Sequence, residues 1–200
     1  MAFISNGTTI LDNGAFDVAL GGLVLLSEQT ASSSANVQFT SGIDSTYPIY
    51  KFEWINAHPG TNDVEYHVNF SSDGGSNYNV TKTSTAFDAE HNENDSYADL
   101  SYNTAMDLAQ STGEQQIGRA CSSNADSSEN GFLFLFNPSS TTFVKHYICT
   151  NSENHVAPRE ANFFIAGYCN TTSAVNAVRF KFSSGNIDSG TFKLYGIKDS

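Results

Sequence analysis

The sequence predicts an all-β chain, a single β-sandwich of jelly-roll type, and three observations predict it. Ser, Thr and Asn number 63 of 200 residues while aromatics reach 12%, with 15 Phe and 9 Tyr. A disordered chain lacks the aromatics, and a helical one favours Ala, Glu, Lys and Leu. Runs of alternating apolar and polar residues recur with the period of 2 that a half-buried strand requires. Between them lie clusters of Gly, Ser, Asn and Asp, the residues of turns. The length makes room for one sizeable core.

Residues 1–21 are rich in Gly, Asn and Thr with weak periodicity, and they read as an N-terminal arm, either loose or docked on a neighbour, ahead of a sandwich domain over 22–200. Strands are expected at Leu23–Glu28 and Val37–Thr40, then at Ile49–Asn56, where Tyr50, Phe52 and Trp54 share one face against Lys51 and Glu53. Val64–Ser71 does the same, with Val64, Tyr66, Val68 and Phe70 against Glu65, His67 and Asn69. The following Asp73-Gly74-Gly75 supplies positive φ angles and predicts a tight hairpin into Asn77–Thr83.

Residues 84–130 interrupt the rhythm with nine acids and Arg119 as the one counter-charge, so they read as a long acidic insertion. A short helix is expected after Ser96, a capping residue with Asp99 three positions on. Strands resume at Gly131–Asn137, Phe143–Thr150, Phe163–Tyr168, Ala174–Phe182 and Gly190–Ile197. Phe132–Phe136 is apolar at every position, which predicts a central strand covered on both faces, by the opposite sheet and by a loop or subunit.

Acids outnumber Lys and Arg 21 to 9, giving a formal charge of −12. Phosphate affinity is built from clustered bases, so no nucleic-acid partner is expected. Apolar runs such as Leu23–Leu26 fall far short of the roughly 20 residues of a spanning helix, so no membrane insertion is expected either. The start, Met1-Ala2-Phe3-Ile4-Ser5, lacks the basic and apolar regions of a signal peptide, and folding in a cytoplasm is the expectation. Cys121, Cys149 and Cys169 are widely spaced and read as free, buried, small hydrophobes.

No Gly-x-Ser-x-Gly elbow, Walker loop, His-Glu-x-x-His or zinc-spaced cysteine cluster occurs, so no catalytic residue and no metal ligand is assigned. Asp88-Ala89-Glu90-His91-Asn92-Glu93-Asn94-Asp95 offers the hard oxygens that calcium takes, without the spacing or mid-loop Gly of an EF-hand. It reads as a solvated acidic loop, with a Ca²⁺ site as the alternative. His58, His67, His91, His146 and His155 form no short-range ligand pair. Trp54, Tyr66 and Tyr78 are the aromatics that could stack on a sugar ring, although Trp54 is in phase with core residues.

Tyr47-Pro48-Ile49-Tyr50-Lys51-Phe52-Glu53-Trp54-Ile55-Asn56-Ala57-His58-Pro59 and Ser72-Asp73-Gly74-Gly75-Ser76-Asn77-Tyr78-Asn79-Val80-Thr81-Lys82-Thr83 carry a resemblance. So do Asp107–Thr112, Phe136-Asn137-Pro138-Ser139-Ser140-Thr141-Thr142-Phe143-Val144-Lys145-His146, Ala166-Gly167-Tyr168, Asn170–Ala174 and Ser184–Ile197. Through these blocks the chain resembles small virion structural proteins of marine tailed phages, cyanophages among them. The resemblance implies a particle component with no catalytic motif to transfer.

The expected function is a non-enzymatic virion protein, a capsid decoration protein or a short head or tail fibre component. It is expected to fold in the host cytoplasm, to assemble as a homotrimer and to contact other capsid or tail proteins. The alternative is a carbohydrate-binding module that recognises a host surface glycan through loops around 58–63, 84–99 and 150–160. A hydrolase acting on host polysaccharide is a third reading.

Overall fold

The computed structural model describes residues 22–198 throughout, and ahead of them only the backbone of three short strands, β1 (Phe3–Ser5), β2 (Thr8–Asp12) and β3 (Ala15–Phe16). These pair antiparallel as a small sheet of their own. The rest of the expected arm lies outside the described residues.

Thirteen further strands follow: β4 (Leu23–Ser34), β5 (Val37–Phe39), β6 (Ile49–Pro59), β7 (Val64–Ser71), β8 (Lys82–Asn92), β9 (Ala98–Tyr102), β10 (Leu108–Ser111), β11 (Gln115–Cys121), β12 (Glu129–Phe136), β13 (Lys145–Asn154), β14 (Arg159–Cys169), β15 (Ala177–Phe182) and β16 (Ile187–Ile197). The chain is all-β, and no helix occurs among the described residues. A nine-stranded sheet runs β10-β8-β14-β13-β12-β6-β16-β4, with β9 on the same edge of β8 as β10, and a four-stranded sheet runs β11-β7-β15-β5. Every pairing is antiparallel, and the two sheets pack face to face as a β-sandwich.

The alternation read from β6 and β7 holds on the apolar face, whereas on the expected polar face of β7 only Glu65 is exposed and His67 and Asn69 are buried. Tyr50, Phe52 and Trp54 are buried, as are Val64, Tyr66, Val68 and Phe70. Trp54 and Phe52 of the large sheet meet Tyr66 and Phe180 of the small one, with Trp54 ring centroids 5.7 Å from Tyr66 and 5.3 Å from Phe180. Beyond Trp54 a bulge intervenes. Ile55 and Asn56 both face outward, Asn56 at φ 53°, and the register against β12 slips so that Ala57 lies opposite Glu129.

Three expectations are corrected. Asp73-Gly74-Gly75 does form a tight turn, with Gly74 and Gly75 at φ 72° and 89° and both Asp73 carboxylate oxygens accepting from Asn77. It joins no hairpin, because residues 77–81 are not a strand and the next strand, β8, belongs to the large sheet. The expected helix after Ser96 is strand β9, and the stretch read as an acidic insertion supplies β9, β10, β11 and most of β8. Phe132–Phe136 is central as expected, between β6 and β13: Leu133 and Leu135 point into the core while Phe132, Phe134 and Phe136 stay half-buried on the far face.

Two lysines are fully buried, a rare state that needs hydrogen-bond partners. Lys82 Nζ, from the large sheet, donates to Asn69 Oδ1 of β7 at 2.7 Å and to the Val80 carbonyl at 2.8 Å, and so ties the crossover to the small sheet. Lys145 Nζ caps the carbonyls of Phe143 and Thr171 at 3.0 Å each.

Two predictions follow from this packing. A Cβ added at Gly131 would collide with the Thr150 carbonyl and lie 2.6 Å from Trp54 Cζ2. Gly131→Ala therefore lowers stability by about 1–3 kcal/mol, the usual cost of overpacking, read as a drop in urea midpoint at constant slope. An unchanged midpoint would mean that the Trp54 ring has room to move. Burial lowers the Lys82 ammonium from its ordinary 10.5 to about 8. Between those values the unfolded chain binds more protons than the folded one, so the contribution of Lys82 to stability improves as pH rises from 8 to 10.5 and is constant below 8. Lys82→Met removes that part, so its stability relative to wild type falls over this window; parallel curves would contradict the assignment.

Candidate functional site

Two features of the described residues depart from an ordinary sandwich. The first is the outer face of the nine-stranded sheet. Strand register places Phe134 beside Ile148, Ala166 and Thr85 in one row, and Phe132 beside Thr150, Phe164, Phe87 and Tyr102 in the next. Phe132, Phe134 and Phe136 line up along β12 with successive centroids 5.4 and 6.4 Å apart, and Phe87 stacks on Phe164 at 4.8 Å. The small side chain of Ala166 leaves a shallow trough walled by Phe136, His146, Ile148 and Tyr168.

Ile148 and Phe87 remain 48% and 44% exposed. Each leaves apolar area in water, and together they form a contiguous band of the kind that marks a binding surface in monomeric proteins. Its charges are balanced locally. Lys51 Nζ is 3.0 Å from Glu53 and also lies over the Phe132 and Tyr195 rings, while Lys193 pairs with Glu28.

The second feature is a buried polar cluster where β11, β12 and β13 meet. Cys121, Glu129 and Glu153 are each 0% exposed, and one ligand atom from each lies within 4.8 Å of the others. Glu129 and Glu153 are direct cross-strand neighbours, both aimed inward. Trp54 Nε1 donates to Asn151 Oδ1 at 2.8 Å, and Asn151 Nδ2 donates to Glu129 Oε2 at 2.6 Å. Glu153 Oε2 accepts from the Arg119 backbone N–H at 2.6 Å and from Cys121 Sγ at 3.5 Å. The remaining oxygens, Glu129 Oε1 and Glu153 Oε1, have no partner, nor has the buried Tyr66 hydroxyl. Burial pushes Glu129 up to about 8, raises Glu153 in the same direction with Glu129 adding to it, and holds the Cys121 thiol protonated.

The residues singled out in the sequence fall elsewhere. Asp88 and Glu90 alternate inward along β8, where Asp88 accepts from Asn103 and Glu90 is clamped by Arg119 and Arg159 at 2.5 and 2.7 Å. His91 and Asp95 pair with each other on the surface, so the acids of 88–95 serve separate partners and do not converge on one point. Trp54 and Tyr66 are core residues with no face open to a sugar, and Tyr78 lies under the Arg179 guanidinium at 4.3 Å. Cys121, Cys149 and Cys169 are free and buried. His146 is brought to the apolar trough, whereas His58 and His155 line separate polar recesses at the opposite end of the strands.

Sequence reading missed Glu129 and Glu153. The signal lay in phase: Leu135, Leu133, Gly131 and Glu129 share one face of β12, as Tyr147, Cys149, Asn151 and Glu153 share one face of β13. No family model, curated protein or solved structure matches this chain.

The Glu90 clamp is testable. Glu90→Gln leaves two half-buried guanidinium groups without their carboxylate and is expected to cost about 2–3 kcal/mol in chemical unfolding. A change below about 0.5 kcal/mol would place the pair among inert surface bridges.

Proposed function

We propose that the chain is a non-enzymatic structural protein of a phage particle, a capsid decoration protein or short head or tail fibre component that assembles with copies of itself. The outer band of the nine-stranded sheet carries this reading. Strands apolar on both sides are normally covered on both sides, and the outer side of β12 stays half-exposed among the described residues. A second copy suits the band on charge. Chains of net charge −12 repel across most of their surfaces, whereas the band offers paired Lys51 and Glu53, which meet the same pair of a facing copy with complementary signs. The sequence resemblance to marine phage virion proteins supports the particle context, and the absence of a catalytic motif supports a non-enzymatic role.

The alternative, a module that binds a host glycan, is favoured by one observation. A polar recess of about 250 Å³, lined by Asn124, Asp126, Asn154, His155 and Arg159, presents the amides and charges that hold sugar hydroxyls. With Trp54 and Tyr66 in the core, such a site would rely on hydrogen bonds from these groups. Glycan-array binding lost in Asn154→Ala would favour it.

The test is the mass of the purified chain in solution by sedimentation velocity, together with its position in intact virions by cryo-electron microscopy. The wild type is expected to be a homo-oligomer, a trimer by the usual symmetry of such appendages, and to occupy regular sites on the particle. Phe132→Glu combined with Ile148→Lys is expected to give a monomer with an unchanged far-ultraviolet circular dichroism spectrum. A monomeric wild type at high micromolar concentration that is also missing from particles would overturn the proposal.

A further inference from the structure

The cluster of Cys121, Glu129 and Glu153 is an expensive thing to build into a core. Two carboxylates stand directly opposite each other across β12 and β13, where like charges destabilise a sheet, and both are taken wholly out of water. Native cores tolerate buried carboxylates when something neutralises them and fills their lone pairs. Here the donors at hand fill only half. Asn151 and the Arg119 backbone N–H each satisfy one oxygen, and one oxygen of each carboxylate is left bare. The Arg119 guanidinium, whose charge reaches Glu153, is itself paired with Glu90.

We propose that Cys121, Glu129 and Glu153 bind a divalent transition-metal ion of the zinc class, one per chain, which pins the edge of the four-stranded sheet to the nine-stranded sheet. A single doubly charged cation neutralises both carboxylates and occupies the two bare oxygens. The donor set selects the ion. Thiolate is a soft ligand that Ca²⁺ and Mg²⁺ avoid, and a mixture of sulfur with carboxylate oxygen suits Zn²⁺ and its neighbours.

The spacing agrees. Bond lengths of about 2.3 Å to sulfur and about 2.1 Å to oxygen in a tetrahedron place S and O about 3.6 Å apart. Cys121 Sγ lies 3.5 Å from Glu153 Oε2, the oxygen beside the bare Oε1 of the same carboxylate. The Tyr66 hydroxyl, wholly buried and near Glu129, is a further oxygen without a partner. Trp54 and Asn151 orient Glu129 from behind, the supporting role that outer partners play around structural metals. Binding exchanges protons for metal: the thiol and whichever carboxyls are protonated release their protons to solvent as the ion arrives, so uptake accompanies folding.

The test uses the full chain without an affinity tag, unfolded with a chelator and refolded with Zn²⁺, with Co²⁺ or with no metal. Elemental analysis after gel filtration is expected to find about one equivalent of Zn²⁺ or Co²⁺. The Co²⁺ form is expected to show a near-ultraviolet sulfur-to-metal charge-transfer band, and the metal-free form to unfold at lower urea. Cys121→Ser should lose the band while Cys149→Ser keeps it. Glu129→Gln with Glu153→Gln, which replaces both acids with neutral isosteres and so spares the fold, should bind less than a tenth of an equivalent.

Refolded wild type that holds no ion and has the same urea midpoint with and without metal would overturn the proposal in favour of a proton-sharing acid pair. Bound Co²⁺ whose band survives Cys121→Ser would overturn it too, by placing the ion elsewhere.

Discussion

The sandwich depends on aromatic side chains that reach across the gap between its sheets from both sides. Trp54 stands against Tyr66 and Phe180, Phe52 against Phe39 and Phe180, and Tyr147 against Phe70 at 5.0 Å. Rings of this size each bury a large apolar area, and edge-to-face contacts add to that burial, so the spacing between the sheets follows from these rings. The glycines follow in turn. Gly131 and Gly167 lie where Trp54 and Tyr147 press against neighbouring backbone, within 2.6 Å of where a side chain would begin. A core filled by large rings forces absences beside them.

The same logic explains which parts of the fold were legible. β6 and β7 could be read residue by residue because the large rings fall on every second position. β8 could not, since its inward face is Lys82, Ser84, Ala86, Asp88 and Glu90, an alternation with almost nothing apolar in it. These residues face in because partners elsewhere in the chain satisfy them: Asn69, Asn103, Arg119 and Arg159. Residue type alone assigns such a run to solvent, and only the three-dimensional pairing reverses the assignment. Likewise, Asp73-Gly74-Gly75 dictates local φ angles but says nothing about which sheet the next strand joins.

The buried acid cluster marks the limit of the same reading. Glu129 and Glu153 are joined only by the β12 to β13 register, and Cys121 reaches them from the opposite sheet. No short-range spacing encodes a group assembled from three strands and two sheets. Period-2 phase, carried outward from Leu133 and Tyr147, is the one sequence signal that turns both carboxylates inward.

The two ends of the large sheet's strands thus do different work. Toward Phe136 and Tyr147 its inner face is filled by rings and aliphatic side chains, and its outer face carries Phe134, Phe136 and Ile148 into solvent. Toward Glu129 and Glu153 the inner face turns polar and the rings stop at Trp54, whose indole N–H is the first link of the chain through Asn151 to Glu129. Dispersion and area burial hold the first end without fixing one geometry, because apolar contacts are not directional. Hydrogen bonds are directional, so the polar end sets the angle at which the sheets meet. A sandwich locked at its polar end presents its apolar face in one orientation.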